Sequence, residues 1–124
     1  MMNKAHVLVV DDNPEIRGLI VATLGTNFYE LGQAATGQQA LDYLATHDLP
    51  HLVILDLAMP GMSGLDVLDM LKNDPEMHQI EVIVLSANAD QITTDNALGQ
   101  GARAVLTKPF SPLELLQTVE SILG

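Results

Sequence analysis

Apolar and polar positions in this chain alternate between short unbroken runs and helix-spaced stripes. Residues 52–55 are wholly apolar, residues 82–85 likewise, and residues 6–10 nearly so, the pattern of central strands covered on both faces. Residues 105–107 form a shorter run of the same kind. Tyr29–Ala34 is the most polar run and contains Gly32, which suits the edge of a sheet. Between the runs, apolar positions recur at three and four residues. Asn13 caps a first helix with Pro14 at its opening position, and Ile16, Leu19, Ile20 and Leu24 form its stripe before Gly25. Thr36 and Gln39 read as a capping box opening a second helix, with Leu41 and Leu44 inward and a stop over residues 47–50. A third helix covers about residues 63–72 and ends before Pro75. A fifth has Ser111, Pro112 and Glu114 at its start and Leu113, Leu116, Val119 and Leu123 facing the core. The fourth, within residues 90–101, is weak, because Thr93, Thr94, Asn96 and Gly99 are modest or poor helix formers and only Ile92, Ala97 and Leu98 anchor it. It is expected to be the most mobile helix.

Five β-α units in succession define an α/β domain with an open, doubly wound parallel sheet. Such sheets bind ligands beyond the carboxyl ends of their strands. Here those ends carry Asp11 and Asp12, then Asp56, then Ser86, then Lys108 and Pro109. Taken singly, an Asp-Asp pair is a turn or helix cap, a serine at a strand end is a turn residue, and a lysine is a solvated surface group. Their convergence on one edge is what points to chemistry. Carboxylates gathered closely repel one another and raise at least one pKa unless a cation joins them. Mg²⁺ suits hard oxygen donors, and the absence of Cys and His from the cluster argues against zinc or copper. Asp11, Asp12 and Asp56 carry three negative charges against one positive charge on Lys108, so a bound Mg²⁺ brings the cluster to neutrality and lets a phosphoryl group approach. A carboxylate there can attack phosphorus to give an aspartyl phosphate, with an ammonium and a hydroxyl meeting the phosphoryl oxygens.

Composition narrows the picture. At 124 residues the chain reads as one domain over residues 1–124, large enough to bury a core without staples. It has no Cys, no leader-like segment, and no apolar stretch near the roughly 18 residues of a membrane span, which together predict a soluble cytoplasmic protein. A formal charge of -11 and an aromatic content of 3% argue against direct nucleic-acid binding. His47 and His51 are four apart, but Asp48, Leu49 and Pro50 place them in an exposed loop rather than on a metal-binding helix face. His6 and His78 show no partner signal, and the six Met residues are scattered.

Four segments carry a more specific signal: Val7-Leu8-Val9-Val10-Asp11-Asp12; Leu55-Asp56-Leu57-Ala58-Met59-Pro60-Gly61-Met62-Ser63-Gly64; Leu85-Ser86-Ala87; and Leu106-Thr107-Lys108-Pro109-Phe110. In order and spacing they resemble the signatures of response-regulator receiver domains, and the resemblance covers essentially the whole chain. It implies a flavodoxin-like, CheY-like fold with sheet order 2-1-3-4-5 and five flanking helices. Asp56 is then the phosphoacceptor of a two-component or phosphorelay system. Asp12, Asp56 and the backbone carbonyl of Ala58 would hold Mg²⁺ directly, and Asp11 through water. Ser86 and Lys108 would meet the phosphoryl oxygens, and the Lys108-Pro109 bond would be cis. The implied donor is a histidine kinase or histidine phosphotransfer protein. The implied output is a change in the face formed by helix four, strand five and helix five, read by a downstream protein or fused domain. The chain would accept a phosphoryl group and lose it again rather than turn over substrate as an enzyme.

Val105 stands where the family commonly has an aromatic switch residue, so activation is expected to act through the fourth helix without a ring rotation. Of the two positions that influence attack by water on the phosphoaspartate, Ala58 cannot orient a water and Asn88 can. One rival, an aspartate-nucleophile phosphohydrolase, needs a second Asp where Ala58 stands. A flavodoxin-like FMN binder needs a Ser/Thr/Gly-rich phosphate loop after the first strand, where Asp11 and Asp12 repel phosphate. A receiver-like docking module without phosphorylation would not need the five site residues. The fourth and fifth helices have no Lys or Arg, and Glu114, Glu120, Asp90 and Asp95 would face like charge across a two-fold axis with only Arg103 nearby. A monomer, or a dimer built through another face, is expected.

Overall fold

The computed structural model describes residues 4–87 and 90–124. Its elements follow one another as β1 (Ala5–Val10), α1 (Pro14–Leu24), β2 (Tyr29–Ala34), α2 (Gly37–Thr46), β3 (Leu52–Asp56), α3 (Gly64–Lys72), β4 (Glu81–Ser86), α4 (Gln91–Gly99), β5 (Ala104–Thr107) and α5 (Pro112–Leu123). The sheet runs β2-β1-β3-β4-β5 with every pairing parallel. The polar run does form an edge.

Strand alternation divides the core in two. Leu8, Val10, Val53, Leu55, Val82 and Val84 pack against α2, α3 and α4 through residues such as Ala40, Leu68, Leu71 and Ala97. Val7, Val9, Leu52, Ile54, Ile83 and Leu85 pack against α1 and α5 through Ile20, Leu24, Leu115 and Val119. Each fully buried Leu or Ile contributes roughly 1.5–3 kcal/mol relative to exposure, and both faces of β3 and β4 are filled this way. That explains their unbroken apolar runs.

Helix starts follow local chemistry. Asn13 accepts from the backbone N–H groups of Glu15 and Ile16, and Ser111 accepts from that of Glu114. Asp90 caps α4 by accepting from the Thr93 N–H. The expected box at α2 is shifted: Thr36 accepts from the Gln39 N–H, but the Gln39 side chain accepts from Ala35, one residue earlier. A complete reciprocal box occurs instead at α3, between Ser63 and Asp66.

Several expected core positions lie outside it. Leu113 is 63% exposed, and Leu115 takes the buried place in α5. Leu19 is also exposed on α1. In α4, Ile92 is 74% exposed and Leu98 is exposed as well, so Ala97 alone is buried. Of the three residues expected to anchor this short helix, Ile92 and Leu98 are therefore exposed and only Ala97 is buried. At the amino-terminal ends of the strands, His6 does have a partner: its Nε2 lies 2.6 Å from the Tyr43 hydroxyl. His51 is exposed, as expected, yet its Nδ1 accepts from the His6 backbone N–H at 3.0 Å.

Candidate functional site

Asp56 and Ser86 are the last residues of β3 and β4, and Asp11 is the first residue beyond β1. The parallel register therefore delivers them side by side. The Asp11 N–H continues the ladder to the Ala34 carbonyl at 3.1 Å, which holds the buried Asp11 against β2. Its Oδ1 accepts from the Asn13 N–H at 2.9 Å, turning the chain into α1. Asp12 is thereby left at the surface. So the turn role that an Asp-Asp pair suggests is present, and it coexists with the cluster: Asp11, Asp12 and Asp56 each offer an oxygen, all within 4.8 Å of one another.

Lys108 enters from the β5 side. Its N–H donates to the Ser86 carbonyl at 2.8 Å, and the Lys108-Pro109 peptide is cis. Its ammonium sits 2.9 Å from Asp11 Oδ2 and 3.2 Å from Asp56 Oδ1. The first contact is an ion pair without hydrogen-bond alignment, so buried Asp11 Oδ2 keeps an unused lone pair. Ala58, in the loop after β3, donates its N–H to Asp56 Oδ1 at 3.3 Å. Ser86 is buried beside Thr107, its register partner on β5. Val105 pairs with Val84 and packs on the side of the sheet that carries α4. Asn88 lies outside the described residues.

The electrostatics follow from this crowding. Burial, and then the neighbouring Asp11, hold the Asp56 carboxyl above the ordinary carboxylate range, and the ammonium and the Ala58 N–H offset that only partly. Burial alone would pull Lys108 down, but the close contact with Asp11 and the negative charges of Asp56 and Asp11 outweigh it and raise its affinity for the proton. Two carboxylates thus share one ammonium, with a third carboxylate close by. Hard oxygen donors, excess negative charge and an orphaned buried carboxylate oxygen all fit a small divalent cation of the Mg²⁺ type.

Two residues of the site had weaker signals. Gly64 packs so tightly over the end of β3 that a Cβ would collide with the Asp56 carbonyl, while its N–H donates to Leu57 O at 3.1 Å. Its clue was a glycine at the first position of a helix, where glycine has no propensity advantage. Arg17, on α1, places its guanidinium Nη1 2.6 Å from the Asp11 carbonyl. In sequence it is one charged residue on an otherwise ordinary amphipathic helix.

Comparison with known proteins agrees with the fold and the cluster. Residues 7–120 match the response regulator receiver domain family. The response regulator PleD of Caulobacter vibrioides is 37% identical over 118 residues, which is 95% of this chain and 26% of that protein. The phosphate regulon transcriptional regulatory protein PhoB of Pseudomonas aeruginosa is 35% identical over 94% of this chain and 51% of that protein. Among solved structures, the chemotaxis protein CheY4 of Vibrio cholerae superposes with a TM-score of 0.89 at 29% identity, covering 98% of this chain and 100% of that one. The chain belongs to the receiver domains of response regulators, the signal-receiving modules of two-component systems. It spans between about a quarter and a half of the length of these two curated relatives. No helix among the described residues is long and apolar enough to cross a membrane.

Proposed function

We propose that Asp56 is the phosphoacceptor of this receiver domain, and that residues 1–124 work as one unit that accepts a phosphoryl group without being a turnover enzyme. The observation that carries the reading is the shared ammonium: Lys108 lies within ion-pair distance of both Asp56 and Asp11 at the sheet edge where Asp12 adds a third carboxylate. In the reaction, a carboxylate oxygen of Asp56 forms a bond to phosphorus. The donor's phosphorus-nitrogen or phosphorus-oxygen bond breaks, and its electron pair leaves with the donor atom. Lys108 then turns from pairing carboxylates to pairing phosphoryl oxygen, and Ser86 supplies the hydroxyl on the other side. Asp11, Asp12 and Asp56, with the Ala58 carbonyl, would hold Mg²⁺, which supplies neutralising charge for the incoming anion.

The donor would be a histidine kinase or a histidine phosphotransfer protein. An apolar cleft lined by Ile16, Leu19, Pro109 and Phe110 opens beside Lys108, which gives the exposed Leu19 a use at that encounter. Output would pass through α4, β5 and α5 to a protein target. With Val105 partly buried, the change falls on α4, which has one buried residue to hold it. A monomer acting in the cytoplasm, without direct nucleic-acid contact, fits the charge of -11. Arg103, the basic residue of the α4-β5 region, pairs with Glu81 of the same chain at 3.6 Å.

The test is incubation with acetyl phosphate, with and without Mg²⁺, read by intact mass and by mapping the modified peptide. Labelling of Asp56 that needs Mg²⁺ and disappears in Asp56→Asn is expected. Equal labelling of the Asn variant would overturn the assignment.

A further inference from the structure

We propose that Arg17 is a positioning residue of the cation site, clamping the Asp11-Asp12 peptide so that the Asp12 carboxylate points into the cluster. The proposal rests on the reading that this cluster binds Mg²⁺. Arg17 sits in the second turn of α1, where its own N–H donates to the Asn13 carbonyl at 3.1 Å. Its side chain turns back over the start of the helix. Nη1 donates to the Asp11 carbonyl oxygen at 2.6 Å, a short charge-assisted bond, and Nε reaches Gln33 Oε1 of β2 at 3.4 Å.

The Asp11 unit is consequently held at every polar group: N–H on Ala34, Oδ1 on Asn13, carbonyl on Arg17, Oδ2 beside Lys108. Asp12 differs. It is exposed, and its side chain makes no hydrogen bond or ion pair among the described residues. Its direction is set by the peptide that precedes it, and the carbonyl of that peptide is the atom Arg17 holds. Residues that orient metal ligands from behind act in this way and typically change metal affinity about 10–100-fold when removed.

A competing effect has the opposite sign. Arg17 is a cation beside a cation site, so charge alone opposes Mg²⁺ and its removal would tighten binding. The two accounts therefore separate in one experiment. Mg²⁺ is titrated calorimetrically into the wild-type chain, Arg17→Met and Arg17→Lys, and the Asp12 amide is followed by NMR in the metal-free protein. Met keeps the apolar stem without the donors. Lys keeps the charge and one donor able to reach the carbonyl.

Arg17→Met is expected to bind Mg²⁺ about tenfold more weakly and to shift the Asp12 amide before any Mg²⁺ is added, and Arg17→Lys to recover most of both. Unchanged or tighter binding by Arg17→Met overturns the proposal. If Arg17→Met fails to fold in a chelator melt, Gln33→Leu releases the outer brace instead. A loss of about twofold to threefold is then expected, and wild-type affinity in that variant overturns the proposal. A wild-type chain that binds no Mg²⁺ sinks the parent reading as well, whereas Mg²⁺ binding that is lost in Asp12→Asn but intact in Arg17→Met sinks this inference alone.

Discussion

The two ends of the sheet both contain polar groups in protected places, and they treat them in opposite ways. At the amino-terminal end, His6 is buried with its ring on the Tyr43 hydroxyl, its N–H on His51 Nδ1 and its carbonyl accepting from the His51 N–H at 2.8 Å. Tyr43 in turn stacks on His47 with ring centroids 3.9 Å apart. Gly32 leaves room for the Tyr43 ring, since a Cβ there would strike it. Among the described residues, no buried side-chain polar atom of that set lacks a hydrogen-bond partner. At the carboxyl-terminal end, Asp11 and Asp56 are buried with one ammonium between them, and Asp11 Oδ2 goes without a hydrogen bond. A satisfied network adds stability, and an unsatisfied one stores a preference for a ligand that completes it.

Breaking the satisfied end should have the largest effect. His6→Ala removes a buried ring and strands the Tyr43 hydroxyl, with an expected loss of about 3 kcal/mol. Tyr43→Phe leaves the ring in place and removes one partner, costing on the order of 1–2 kcal/mol. Denaturant titration measures both, and Mg²⁺ affinity should stay at the wild-type value in each. A change in Mg²⁺ affinity would mean the two ends are coupled rather than separate.

Acidity sharpens the contrast with a smaller effect. Because burial and Asp11 raise the Asp56 carboxyl above its ordinary value, the folded chain holds that proton more tightly than the unfolded chain. In the window between the two values the folded state binds more protons, so this group's contribution to stability rises as pH falls. Metal-free wild-type protein should therefore gain stability relative to Asp56→Asn as pH falls from neutral toward the ordinary carboxylate value. Mg²⁺ requires the carboxylate, so its affinity should weaken over the same range. Chelator melts and Mg²⁺ titrations at matched pH values check both signs.

Much of this was legible in the chain because strand ends are legible. Unbroken apolar runs locate β3 and β4, and whatever follows such a run must lie at the sheet edge, which is how Asp56, Ser86 and Lys108 come together. Helix faces were harder. In α5, spacing puts Leu113, Leu116, Val119 and Leu123 on one stripe, but packing against α1 centres the buried face on Leu115 and Val119 and leaves Leu113 exposed. In α4, Ile92 is apolar in a position that no neighbour covers, so its hydrophobicity predicted burial that the fold does not provide. The links His6-Tyr43 and Arg17-Asp11 were invisible for another reason. They join residues of different elements through side-chain reach, which no local pattern encodes.

The carboxyl-terminal end carries three carboxylates against one ammonium, an excess of charge that a bound cation would relieve. Thermal melts of wild-type and Asp56→Asn protein, each in chelator and in saturating Mg²⁺, test this directly. In chelator at neutral pH, Asp56→Asn should be the more stable by on the order of 1 kcal/mol, since it removes one of the repelling charges. Saturating Mg²⁺ should raise the wild type by a few kcal/mol through binding to the folded state, shift the variant far less, and so reverse their order. An Asp56→Asn chain less stable than wild type in chelator, with Mg²⁺ moving both alike, would contradict the account.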